Sequence, residues 1–239
     1  DQAAWGDLDA ARAAITDDTA AILVEPVQGE GGVRVADAGF LQGLRHLADE
    51  HDLLLLFDEV QCGMGRTGRF SAHEWSGVAP DVMAVAKGLG SGFPVGACLA
   101  TERAAHAMTA GTHGTTFGGS PLAMAVADAV LDIVLEPSFL GHVRAMADRL
   151  HPGLERLVAR HPGVLAGLEG RGLMLGLRLR GEGGENGHMV GRLRREGLIT
   201  VPAGDNQVRL LPPLVVEDAQ VDEALGLLDK VCAAMEAES

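Results

Sequence analysis

The 239 residues are 47% hydrophobic and 22% charged, enough apolar surface for a sizeable core and too much for a disordered chain. The formal net charge of −14, with no basic run, argues against nucleic acid or an anionic membrane surface as partner. No apolar stretch approaches the roughly 18 residues a bilayer span needs, and the N-terminal DQAAWGDLDA lacks a leader pattern. Cys62, Cys98 and Cys232 form no CxxC pair, so neither a disulfide framework nor a zinc site is suggested. A reducing cytoplasm is the expected setting.

In chain order, AAILVEP (20 to 26) is a short apolar run closed by Pro26. A glycine-rich VQGEGG follows, and then a segment that places Phe40, Leu41, Leu44 and Leu47 on one helical face. LLLLFDEV (53 to 60) is the uninterrupted apolar run of a strand buried in a parallel sheet. VMAVA (82 to 86) and VGACLAT (95 to 101) repeat the type, which predicts an α/β sheet with helices on both faces. From Ser120 the chain reads as helix, a break near Glu136 and Pro137, and a second helix, placing a domain boundary near residue 137. Beyond it GLMLGLRLR, LITVP and VRLLPP read as short strands, interleaved with helices at about 187 to 197 and 217 to 235. Together they make a smaller α+β unit, and GEGGENG (181 to 187) reads as a polar turn.

Only two of the nineteen cations are lysines, Lys87 and Lys230. Lys87 follows the VMAVA strand, Asp58 follows LLLLF and Glu25 follows AAILV, so all three sit where open parallel sheets collect ligands. An ion pair between Asp58 and Lys87 that caps the sheet is one reading. The other rests on what an amine does and a guanidinium does not: a desolvated lysine condenses with an aldehyde. The matching cofactor is pyridoxal phosphate, whose ring nitrogen needs a carboxylate that Asp58 could supply. The glycines after Lys87 would then leave room for the cofactor. GLGSG (88 to 92) is not a GxGxxG dinucleotide loop, and GMGRTG (63 to 68) lacks the GK[ST] of a phosphate loop. The nine histidines make no HxxxH or HExxH pattern, so no metal is expected.

The blocks AAILVEPVQGEGG, LLLLFDEVQCGMGRTGRF, PDVMAVAKGLGSGFPVGA, GTHGTTFGGSPLAMAV and VRLLPPLVV, in this order and spacing, resemble the class III pyridoxal-phosphate aminotransferases. Within the class they look most like the branch acting on N-acetylornithine. The resemblance implies fold type I, with residues 1–136 the later part of the large cofactor-binding domain and 137–239 the small C-terminal domain. It implies that Lys87 forms the internal aldimine, that Asp58 bonds the pyridinium nitrogen, and that Val60 packs on the ring with Gln61 near its phenolic oxygen. Glu59 falls in the same cofactor-binding block. HGTTFGG matches a segment that reaches across a homodimer interface. Thr116 is thereby implied in binding the phosphate of the partner subunit's cofactor, and Thr115 lies near substrate. Arg209 matches an arginine for the substrate α-carboxylate, suited to a bidentate fork. Glu30 matches a glutamate that gates this arginine in ω-aminotransferases. Glu25 has no assigned role.

The implied reaction moves the δ-amino group of N-acetylornithine to 2-oxoglutarate, giving the semialdehyde and glutamate. Ornithine, succinylornithine or 4-aminobutyrate is the alternative donor, and a non-catalytic dimerisation module is the alternative of another class. Two departures from the family stand out. Ser120 replaces an asparagine and could cap the following helix. The family's earlier phosphate loop, ring-stacking aromatic and second substrate arginine have no counterpart in these residues. Part of each site is thus expected from another chain or from sequence outside this one.

Overall fold

A computed structural model describes residues 1–181 and 183–238. They form two compact units. The first comprises Asp1–Pro26, Ala36–Met64 and Arg69–Glu136; the second comprises Val27–Val35, Gly65–Gly68 and the chain from Pro137 onward. Among the described residues no helix is long and apolar enough to cross a membrane.

The first unit is built on a four-stranded sheet in the order β1 (Ala21–Val24), β2 (Leu54–Asp58), β3 (Val82–Val85), β4 (Ala97–Ala100). β1, β2 and β3 are parallel, and β4 runs antiparallel to β3. Helix α1 (Leu8–Ala13) precedes the sheet. Helix α2 (Ala38–Glu50) starts where the Asp37 carboxylate accepts the Gly39 N–H. It buries Leu41, Leu44 and Leu47 against Val24, Leu55 and Phe57, as its helical periodicity predicts. Each such buried leucine contributes about 2 kcal/mol. Because side chains alternate along a strand, Leu54, Leu56 and Asp58 point to the other face of the sheet. The short α3 (Glu102–Ala105) and then α4 (Pro121–Val134) complete the unit. Ser120 is the N-cap of α4, but its side chain makes no capping hydrogen bond; Pro121 at the first helical position starts the helix instead.

The second unit holds an antiparallel sheet in the order β5 (Leu165–Arg171), β6 (Met174–Leu179), β8 (Gln207–Leu210), β7 (Val201–Ala203). Helices α5 (Pro137–Arg160), α6 (Glu185–Arg195) and α7 (Asp218–Glu236) share its core, which includes Leu150, Leu154, Leu175, Leu177, Leu193 and Leu228. β5 goes unread in the sequence because LAGLEGR has two glycines and no β-branched residue. In the polar turn expected over residues 181 to 187, residue 182 lies outside the described residues. Glu185 to Gly187 are already the first turn of α6.

His161, just past α5, joins two helices. Its Nε2 lies 2.7 Å from Asp229 Oδ1 and its Nδ1 2.9 Å from Glu236 Oε2, both on α7. Burial alone would lower the pKa of this ring, but the hydrogen bonds to Glu236 and Asp229 outweigh it and leave the pKa raised. The same carboxylates, after burial itself, push the neighbouring Cys232 thiol up to about 12. A raised folded-state pKa stabilises fully below the unfolded value of about 6.5 and is lost as pH rises through the folded value. His161→Ala should therefore cost about 2 kcal/mol at pH 6 and progressively less in alkaline buffer, read as urea midpoints across pH. A pH-independent penalty would refute the charged contact.

Candidate active site

The first unit brings Asp58 and Lys87 to the carboxyl ends of adjacent parallel strands. Asp58 faces Ala84 in the β2–β3 register, three residues before Lys87. Three residue steps span at most about 10 Å of chain, so the carboxylate and the amine arise from one end of the sheet. Asp58 is part-buried, and its Oδ1 accepts the Val60 N–H at 2.9 Å. Among the described residues its other oxygen has no donor, and the Lys87 ammonium has neither an ion pair nor a hydrogen bond. The capping ion pair that competed with the chemical reading does not form.

Backbone strain gathers at the same place. Lys87, Met64 and Ser91 are non-glycine residues in the left-handed region, at φ 43, 55 and 45 degrees. Such conformations concentrate at functional sites because surrounding structure must impose them. A short 3₁₀ turn, Lys87–Leu89, follows β3 in place of the helix a dinucleotide loop would open.

The structure qualifies three expectations. Gly88 and Gly90 answer to packing: a Cβ on Gly88 would lie 2.8 Å from the Met64 Cβ, and one on Gly90 would lie 1.9 Å from the Phe93 carbonyl oxygen, whereas Gly92 has open space around it. Glu59, expected in the cofactor-binding block, has its carboxylate engaged within the chain. It is fully buried, and its two oxygens accept the N–H groups of Ala72 and His73 and the His73 ring Nδ1. Lys87 is exposed, so the desolvation expected around it is not supplied by the described residues of this chain.

Val60 and Gln61 are part-buried in the turn after Asp58. Thr115 and Thr116 lie in a stretch exposed from Ala107 to Gly118. The Thr115 hydroxyl accepts the Gly118 N–H at 3.0 Å, and Phe117 beside it is 83% exposed. These hydroxyls stand on an open surface loop.

In the second unit Arg209 and Glu30 meet. Arg209 lies in β8 opposite Gly176 of β6 and Val201 of β7, and its Nη1 donates to Glu30 Oε1 at 2.8 Å. The arginine side chain is 8% exposed and the glutamate 76%. The loop carrying Glu30 is a small hairpin closed by the Val27–Val35 bridge. The fully buried Gln207 pins it by accepting the Val33 N–H at 2.8 Å, and the Gly204 N–H donates to the Glu30 carbonyl at 2.9 Å. Sequence reading passes over Gln207; its polar side chain two residues before Arg209 on an otherwise apolar strand is the signal. Arg66, of the GMGRTG run, reaches the Leu173 and Pro212 carbonyls, and burial lowers its pKa to about 10.

The family model for class-III aminotransferases matches residues 1–232. An acetylornithine aminotransferase of Mesorhizobium japonicum is 55% identical over 98% of this chain and 60% of its own length. One of Agrobacterium fabrum is 56% identical over 99% and 59%. Among solved structures, N-acetylornithine aminotransferase of Stenotrophomonas maltophilia superposes with a TM-score of 0.88 at 38% identity, over 98% of this chain and 62% of that one. Ornithine aminotransferase of Toxoplasma gondii reaches 0.92 at 31%, over 98% and 56%. The chain spans about 60% of the length of the curated relatives it matches. With the fold, the strand-end pair and these likenesses together, the chain belongs to the class-III aminotransferase family.

Proposed function

We propose that this chain is the lysine-bearing part of an aminotransferase that moves the δ-amino group of N-acetylornithine to 2-oxoglutarate. The observation that carries the reading is the amine of Lys87 and the half-committed carboxylate of Asp58 at the ends of neighbouring parallel strands. Class-III aminotransferases are pyridoxal-phosphate dependent. The donor set fits that group: an amine without a partner among the described residues, and a carboxylate oxygen without a donor. When bound, pyridoxal phosphate supplies an aldehyde for amines and a ring that draws electrons from the carbon bearing the amino group.

The residues of this chain do the rest. Asp58, steadied by the Val60 N–H, holds the proton on the ring nitrogen. Lys87 carries the cofactor between turnovers and moves the proton at the substrate carbon. Val60 would hold one face of the ring and Gln61 would bind at its phenolic oxygen. Thr116 would hold the phosphate of a partner subunit's cofactor and Thr115 would bind substrate. Met108, Phe117 and Leu122, large apolar side chains exposed in and around this segment, support its coverage by a second copy. The three cysteines, in no disulfide among the described residues, fit a reducing cytoplasm.

Arg209 and Glu30 form the gate in this reading. Paired, they leave no charge for a donor that presents no carboxylate there; opened, Arg209 takes the carboxylate of glutamate. Glu30→Gln should cost about 1–2 kcal/mol, because the buried Arg209 guanidinium loses the Glu30 carboxylate and meets an amide oxygen in its place. The same change should weaken the acetylornithine half-reaction about tenfold relative to the glutamate half-reaction, each measured separately. Equal effects on both half-reactions would defeat the gate.

The function is tested by assaying a panel of ω-amines with 2-oxoglutarate. Acetylornithine should give the highest kcat/KM. The likeness to ornithine aminotransferases favours ornithine as a second reading, and a higher kcat/KM for ornithine would install it.

A further inference from the structure

Glu59 presents a buried carboxylate that the proposed chemistry does not use. It follows Asp58 at the end of β2 and is 0% exposed. Oε2 accepts the Ala72 N–H at 2.8 Å; Oε1 accepts the His73 N–H at 2.8 Å and faces the His73 Nδ1 at 2.9 Å. A carboxylate oxygen accepts, so the Nδ1 carries the proton. The Cys62 Sγ lies 3.5 Å from Oε2. Taking a carboxylate out of water is costly, and these donors offset the loss.

The position of this anchor matters more than its strength. The two N–H groups belong to the first turn of the 3₁₀ segment Ala72–Trp75, which is already capped by Ser71 and Glu74. The Glu59 N–H donates to the Ala84 carbonyl of β3 at 2.9 Å, three residues ahead of Lys87. The His73 ring also packs 5.7 Å from the ring of Phe57, which precedes Asp58. Residues 57 and 59 therefore grip the body of the unit on one side of the sheet, while Asp58 between them projects from the other.

We propose that Glu59, with His73 as its lever, is a positioning residue that sets the direction of the Asp58 carboxylate toward the cofactor ring. The proposal rests on the reading of Asp58 given above. A side chain held between two anchored neighbours has its backbone orientation decided by them. Releasing Glu59 lets the peptide at 58 to 60 rotate, and the Asp58 contact with it.

The test adds pyridoxal phosphate to the full chain. It records the dissociation constant and the pH midpoint of the bound cofactor's absorbance band for wild type, Asp58→Asn, Glu59→Gln, His73→Phe and His73→Asn. Glu59→Gln should raise the dissociation constant about tenfold, equivalent to about 1.4 kcal/mol, and move the midpoint in the same direction as Asp58→Asn. His73→Phe, which keeps the ring against Phe57 but loses the donor, should do likewise to a smaller extent. His73→Asn, which returns an N–H near the Nδ1 position, should restore both values. A Glu59→Gln chain with a lower melting temperature but wild-type affinity and midpoint has lost only structure, which overturns the proposal. Should that variant not fold, the His73 pair decides by the same criterion: identical behaviour of Phe and Asn overturns it. If Asp58→Asn itself leaves both values at wild type, or the wild-type chain takes up no cofactor, the reading of Asp58 falls first and this proposal with it.

Discussion

Lys87→Ala is expected to abolish transamination, to about a thousandth of wild type or less, and to remove the absorbance band of bound cofactor. Proton movement by a placed amine alone is worth about 10²–10⁴-fold, and the attachment of the cofactor is lost in addition. Lys87→Arg should be equally inactive, because a guanidinium keeps the charge but not the nucleophile. The backbone adds an independent check. At φ 43 degrees an alanine keeps the steric penalty of the left-handed region, whereas a glycine does not. Lys87→Gly should thus be more stable than Lys87→Ala by about 1 kcal/mol, with both inactive, as measured by urea denaturation. Turnover surviving in either variant would remove Lys87 from the chemistry.

Asp58→Asn should lower kcat by about 10²–10³-fold with little loss of stability. Asparagine keeps an oxygen for the Val60 N–H, so the turn after β2 persists. What disappears is the negative charge that, in the proposed reading, holds the ring nitrogen protonated. Loss of charge at constant shape separates electrostatics from packing, which Asp58→Ala would confuse. An unchanged kcat, with cofactor bound, would place the ring elsewhere.

Much of the first unit was legible because its signals are local. Uninterrupted apolar runs marked β1, β2 and β3, and helical spacing marked the buried face of α2. The rarity of lysine marks position 87 independently of the fold. Local signals failed where the deciding neighbour was remote in sequence. DEV sets a second carboxylate beside Asp58 in the same block, and only contacts thirteen and fourteen residues away commit Glu59 to Ala72 and His73. Glycines 88 and 90 read as space for a ligand, whereas Met64 and Phe93 occupy that space.

The chemistry available is written along the chain: an amine after one apolar strand, a carboxylate after another, and an arginine on a third. These follow from residue identity and short-range periodicity, which do not depend on how the chain closes. Which of those groups meet depends on the folded chain. Residues 27 to 35 leave the first unit to join the second, where Gln207 and Gly204 hold the loop and Glu30 reaches an arginine 179 positions away. Such long-range pairing is set by strand register and buried hydrogen bonds between distant segments, and no local pattern of residues encodes it.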